Sequence, residues 1–266
     1  MYETNYHRPR DLAEAESQFA AAAEARYLAG GMTLLPTMKQ RLAAPSDLVD
    51  LGRLAELKGI AVTDEAVTIG AGVTHAEVAE APAIRAALPA LAALAGQIGD
   101  PHVRHRGTIG GSLANDDPAA DYPAAVLALG ATIQTTRREL AAEDFFQGLF
   151  TTALEEGEII VSITFPLAAR AAYAKFPNPA SRYAMAGVFV ARMPDGAVRV
   201  GVTGAGQDGV YRDAAFEAAL EDDFAPAALD PIEVDASAML SDLHGSAAYR
   251  ANLVKVMAKR AVAAAA

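Results

Sequence analysis

Residues 25–42 read Ala25-Arg-Tyr-Leu-Ala-Gly-Gly-Met-Thr-Leu-Leu-Pro-Thr-Met-Lys-Gln-Arg-Leu42, and this stretch decides the fold. Ala25 to Ala29 has the composition of a short strand, Gly30-Gly31 interrupts it, and Thr33 to Leu42 reads as a helix. Two adjacent glycines let the backbone turn sharply and let a ligand approach it closely. Successive N–H groups at such a turn, next to a helix N-terminus, form an anion site. The Thr33 hydroxyl can cap the helix or donate to a phosphate oxygen. A tight turn with a Thr cap and no ligand explains the same residues, so this loop alone leaves the choice open.

Working outward, a helix is expected from Asp11, an N-cap residue with Pro9 before it and Glu14 three positions on. Leu12, Ala15, Phe19 and Ala22–Ala23 give it an apolar stripe. Leu48 to Leu51 reads as a strand, which completes a small α/β unit. A second block opens near Gly59. It has strands at Ala66–Gly70, Ala131–Thr136 and Glu158–Phe165, and helices at Thr74–Ala79, Ala83–Ile98 and Pro123–Leu129. Asp100 to Asp121, rich in turn formers, reads as irregular. A third block begins near Ala171, where strands Met185–Met193 and Ala197–Thr203 flank the turn Pro194-Asp195-Gly196. Helices at Asp213–Leu220 and Ala247–Ala265 follow.

A second glycine loop lies within Arg106-Gly-Thr-Ile-Gly-Gly-Ser-Leu-Ala-Asn-Asp-Asp-Pro-Ala-Ala-Asp121. Its Gly110-Gly111 pair stands between the hydroxyls of Thr108 and Ser112, and Asp116, Asp117 and Asp121 follow. An ionised Asp only accepts hydrogen bonds, so it suits ribose or ribityl hydroxyls, whereas phosphates need N–H and O–H donors. Two phosphate-type loops about 80 residues apart suggest a diphosphate gripped from two sides.

Composition limits the alternatives. A net charge of -11 makes the chain a poor partner for nucleic acid or an anionic membrane surface. The absence of cysteine excludes disulfides, thiolate catalysis, Cys-ligated zinc and any iron–sulfur cluster held by this chain. The most apolar stretch, Ala81 to Gly96, contains Pro82, Arg85 and Pro89 and is too short to span a bilayer. Met1 to Glu16 lacks a signal-type apolar core, so a cytoplasmic protein is expected. Gly204-Ala-Gly-Gln-Asp-Gly209 fits a dinucleotide fingerprint, but Val210-Tyr211 follows where a helix should open, so it reads as a turn. His102 and His105 have a metal-ligand spacing, yet Arg104 and Arg106 would repel a cation and no metal site is expected. Glu155-Glu156 and Asp222-Asp223 read as solvated, and no catalytic residue is assigned.

Ala29 to Leu42 resembles the first flavin loop of the medium, FAD-binding subunits of molybdenum hydroxylases, the flavoproteins of the carbon monoxide and xanthine dehydrogenase group. Asp100 to Asn115, running into Asp117-Pro-Ala-Ala-Asp-Tyr-Pro123, resembles the second loop. Ala172–Phe176 and Ser181–Val188 resemble the start of the family's C-terminal domain, so the resemblance covers the whole chain. Relatives commonly have Ser at Thr33 and often a polar residue at Met32.

The resemblance implies an α+β fold: a two-lobed FAD-binding domain of the molybdenum hydroxylase and vanillyl-alcohol oxidase type, residues 1–57 and 58–168. A C-terminal domain with a three-stranded antiparallel sheet and helices, residues 169–266, would follow. Leu28, Ala29, Gly30, Gly31, Met32, Thr33 and Leu34 would face the FAD diphosphate from one side, and Thr108, Ile109, Gly110, Gly111 and Ser112 from the other, chiefly through N–H groups. Asp121 would bind FAD hydroxyls or the adenosine side, and Ile160, Lys175 and Tyr183 would lie near the flavin. The implied function is electron transfer. Electrons would leave a molybdenum cofactor on a large subunit, cross 2Fe-2S clusters on a small subunit and pass through FAD to an external acceptor. The assembly would be a dimer of three-subunit units. A stand-alone FAD-dependent oxidoreductase and a non-enzymatic scaffold subunit are the alternatives.

Overall fold

The computed structural model describes residues 1–265. Its first unit is a parallel three-stranded sheet in the order β1 (Asn5–His7), β3 (Asp47–Asp50), β2 (Ala25–Leu28). Parallel neighbours need crossovers, and α1 (Leu12–Ala21) and α2 (Leu34–Lys39) supply them. Asp11 caps α1 by accepting from the Glu14 N–H at 2.8 Å. The Glu14 carboxylate reaches back to the Arg10 N–H at 2.9 Å, one residue before the capping-box position. β1 carries too short a pattern to be read from sequence; its pairing with β3 creates it.

The second unit is an antiparallel five-stranded sheet in the order β4 (Ile60–Val62), β5 (Ala66–Gly70), β10 (Ile160–Pro166), β6 (Thr132–Thr135), β7 (Glu139–Ala141). Between β5 and β6 run α3 (His75–Glu80), α4 (Pro82–Ala87), α5 (Pro89–Gly96), α6 (Pro101–Arg104), α7 (Ile109–Asn115) and α8 (Tyr122–Leu129). The single helix expected over Ala83–Ile98 is two. Pro89 removes an N–H and forces Leu88 out of helical geometry, to φ -144° and ψ 65°. The segment expected to be irregular, Asp100 to Asp121, holds α6 and α7. Their caps outweigh the glycine content: Asp100 accepts from the Val103 N–H at 3.0 Å and Thr108 from the Gly111 N–H at 3.1 Å. Short α9 (Ala142–Phe145) and the hairpin β8 (Phe146–Gly148) with β9 (Thr151–Thr152) follow β7.

The third unit is an antiparallel sheet of three long strands, β11 (Arg170–Pro177), β12 (Ala184–Arg192) and β13 (Val198–Thr203), edged by the two-residue β14 (Tyr211–Arg212). The Gly204–Gly209 motif is the turn from β13 to β14, with Gly204 at φ +81°, so a strand and not a helix follows it. α10 (Ala214–Asp222) and α11 (Ala247–Ala264) cover one face of the sheet. Tyr173, Phe189, Ala191 and Met193 join the other core, which runs continuously through both preceding units. Every residue of α8 is buried, because this helix is covered on all sides. Its contact with β13 is backbone to backbone: a methyl group on Gly201 would lie 2.1 Å from the Ala124 carbonyl oxygen. No helix among the described residues is long and apolar enough to cross a membrane.

Candidate cofactor cleft

The parallel strand β2 ends at Leu28, and the glycine turn that follows opens onto a cleft of about 870 Å³. Ligands of open parallel sheets bind beyond the carboxyl ends of the strands, and this volume is at the upper end of small-molecule sites. Residues 28–34 line the cleft, as do Thr108, Gly110, Gly111 and Ser112 of the second loop, with Asp121, Ile160 and Tyr183. Of the residues singled out in the sequence, Ile109 and Lys175 are not in this lining. Ile109 is fully buried in the shared core.

The two loops differ in what they offer. The backbone N–H groups of Gly30, Gly31, Met32 and Thr33 have no acceptor among the described residues. Gly31 turns the chain at φ +73°, and Thr33 makes no side-chain cap, which leaves its hydroxyl free. The first turn of α2 is closed instead by Leu35 N–H donating to Gly31 O at 3.1 Å and by the Thr37 hydroxyl donating to Thr33 O at 2.8 Å. In the second loop the N–H groups of Ile109 and Gly110 already donate to Val73 O (3.1 Å) and Ala71 O (2.9 Å), and Gly111 donates to the Thr108 hydroxyl oxygen. That loop therefore meets the cleft with hydroxyls, those of Thr108 and Ser112, and with the Asn115 amide, rather than chiefly with N–H groups.

The loops touch each other. A methyl group on Gly30 would lie 2.1 Å from Arg106 O and 2.7 Å from Gly107 Cα. One on Gly110 would lie 2.5 Å from Ala71 Cβ. These glycines are required by close approach of protein to protein, and of the two glycine pairs only the first, within residues 30–33, has N–H groups left to meet an anion.

Asp121 lines the cleft with each carboxylate oxygen already engaged by a protein group. Its Oδ1 accepts from the Tyr173 phenol at 2.5 Å and its Oδ2 faces Lys175 Nζ at 2.9 Å. Lys175 also donates to Gln97 O at 3.2 Å, and both charged side chains are almost wholly buried. The pair joins the second loop to β11 and to the end of α5. Ile160 opens β10 and is buried, whereas Tyr183 is half-exposed, its phenol raised by burial and by Asp117 and Asp121. Asp116, outside the lining but between Asn115 and Asp117 within it, is left-handed (φ 42°) and buried, with one carboxylate oxygen unpartnered; burial and then Asp117 push its carboxyl up to about 7.

Sequence reasoning missed His75, Phe150, Glu158 and Arg182 as cleft residues. His75 follows a helix cap, Thr74, and nothing local distinguishes it from a core histidine. Phe150 and Arg182 both have positive φ, a conformation that their residue types do not announce. His105 lines the cleft and its Nδ1 lies 2.7 Å from Pro101 O. Among the described residues no group of three or more His, Cys, Asp or Glu has the arrangement of a metal site.

A dinucleotide-sized cleft at the end of a parallel sheet, with an anion-binding turn and a second lobe closing it, defines a nucleotide-cofactor domain. Residues 2–168 match the model of the FAD binding domain in molybdopterin dehydrogenase. The carbon monoxide dehydrogenase medium chain of Hydrogenophaga pseudoflava is 35% identical, over 98% of this chain and 96% of its own. The nicotine 6-hydroxylase medium subunit of Paenarthrobacter nicotinovorans is 33% identical, over 97% and 95%. Among solved structures, reconstituted CO dehydrogenase from Oligotropha carboxidovorans superposes with a TM-score of 0.89 at 33% identity, covering 99% of this chain and 98% of the matched one. The chain belongs to the FAD-binding subunits of molybdopterin dehydrogenases, and it is an oxidoreductase subunit.

Proposed function

We propose that this chain holds FAD in the cleft between its two glycine loops and serves as the electron outlet of a three-subunit molybdenum hydroxylase. The observation that carries the reading is the row of four N–H groups at residues 30–33 without acceptors, lining the cleft at the end of β2. When bound, FAD exchanges electrons singly or in pairs, the property a relay from one-electron carriers to an external acceptor needs. The chain's own residues bind and orient. The N–H groups of residues 30–33 and the hydroxyls of Thr33, Thr108 and Ser112 hold the diphosphate. Ile160 and Tyr183 border the flavin end, and the Asp121–Lys175 pair fixes the second loop, with Asp121 at the cleft wall and Lys175 behind it. No side chain here acts as acid or base on the substrate.

The partners are a large subunit with the molybdenum cofactor and a small one with 2Fe-2S clusters, assembled twice over in the cytoplasm. Relatives named medium chains support the first part, and a chain without cysteine cannot hold the clusters itself. The test is Gly30→Val in the assembled complex. The expected result is loss of FAD, measured by flavin released on denaturation, with molybdenum and iron content of the partners unchanged. Wild-type flavin content in the variant would overturn the loop assignment.

A further inference from the structure

His75 is a buried titratable group that the reading above leaves without a task. It lines the cleft, yet the residue is only 5% exposed. Its backbone N–H donates to Gly107 O at 3.0 Å, and its ring packs on Tyr122, with centroids 5.4 Å apart. The Nε2 edge lies over Gly107: a methyl group there would come within 2.6 Å of Nε2. Gly107 is also approached by Gly30, on which a methyl group would lie 2.7 Å from its Cα. The imidazole therefore stands beside Gly107, the glycine at which the two loops meet.

The protonation state follows from the surroundings. Burial, and then the Arg104 charge, lower the imidazole to about 4, so the ring is neutral at physiological pH. Its Nδ1 is buried and without a partner. A buried N–H without an acceptor is a rarer and costlier orphan than a lone pair. That asymmetry puts the single proton on Nε2, the edge beside Gly107. Nε2–H has no protein acceptor among the described residues.

We infer that His75 is a cofactor-binding residue, donating its Nε2–H to an oxygen of the FAD diphosphate at the junction of the two loops. The inference rests on the cofactor reading above and adds to it a neutral side-chain donor. The donor chemistry suits the position. A neutral imidazole binds an anion without needing a charge to be buried beforehand, and it complements a second loop whose own N–H groups are already used.

The test uses the full complex with His75→Phe, which keeps a ring against Tyr122 but has no N–H, and His75→Gln, which restores a donor near Nε2. The readouts are the FAD dissociation constant, the two phosphorus NMR resonances of the bound diphosphate, and partner metal content. His75→Phe is expected to weaken FAD about tenfold and to move one phosphorus resonance, with partner metals retained and most of the effect reversed in His75→Gln. Wild-type affinity and unmoved resonances in His75→Phe would overturn the inference, as would a Gln variant indistinguishable from Phe, which would reduce His75 to packing. A wild-type complex that binds no FAD is a different result: it would fail the cofactor reading itself.

Discussion

The Asp121–Lys175 pair is an ion pair taken almost wholly out of water, with a phenol on one carboxylate oxygen and a backbone carbonyl on the ammonium. Removing one partner of such a pair strands the other charge, which costs about 3–5 kcal/mol, whereas removing both is far milder. Lys175→Met is therefore expected to lower the unfolding free energy by about 3–5 kcal/mol, and adding Asp121→Asn should recover most of it. Denaturant titration of the two variants checks this; equal stability of single and double variants would show that the charges do not see each other. Both residues were legible as important but not for what they do. A residue type announces its donors and acceptors. It does not announce that a partner 54 positions away will claim them first. Gly30 and Gly110 were likewise readable as close-approach positions, while the atoms approached, Arg106 O and Ala71 Cβ, emerge only from the packing.

At the scale of elements, caps and prolines explain most differences between expectation and structure. The strand–turn–helix of residues 25–39, the strands β5, β6, β10, β12 and β13 and the last two helices follow from local pattern, whereas β4, β7, β11 and β14 do not. Nor do α6 and α7, since Pro101 and the Gly110–Gly111 pair argue against a helix and only Asp100 and Thr108 mark their starts. The β6–β7 turn shows a tertiary constraint of another kind. Burial alone would raise the Glu158 carboxyl, but the Arg138 guanidinium, the Glu155 N–H and the Thr135 hydroxyl outweigh it and hold the group down at about 2. A carboxylate lowered on folding stabilises above its unfolded value near 4.5, and the contribution is lost as pH falls toward 2. Glu158→Gln should thus be less stable than wild type by about 2 kcal/mol at neutral pH, allowing for the partial exposure of Arg138. The gap should narrow between pH 4.5 and 2. A gap independent of pH would show that the carboxylate charge contributes nothing.

Across the whole molecule, the cleft depends on the third sheet. The Thr203 hydroxyl donates to Ala120 O at 2.7 Å or to Pro118 O at 3.0 Å, and the Gly204 N–H donates to Pro118 O at 2.8 Å. These bonds pin the segment between α7 and α8 onto β13. α8 itself, buried on every side, has no solvent-ready face to present if that sheet is removed. Residues 1–168 produced alone should therefore aggregate and retain no FAD, although that segment is the one the family model matches. Gel filtration with flavin analysis would check it, and a monodisperse, yellow fragment would show that the third unit is dispensable. Sequence could place three blocks in order, but interdependence of this kind is carried by backbone contacts such as Gly201 against Ala124, to which hydropathy is blind.

The pinning of residues 118–120 by Thr203 and Gly204 also has a meaning in time. A chain is made from its N-terminus, so the glycine turn at residues 30–31 leaves the ribosome long before the strand that steadies the opposite wall. Until Thr203 has emerged, the nascent subunit carries half of a binding site and a helix with nothing to cover it. Flavin capture thus waits until Thr203 and Gly204 have emerged, and α8 needs shelter during the interval.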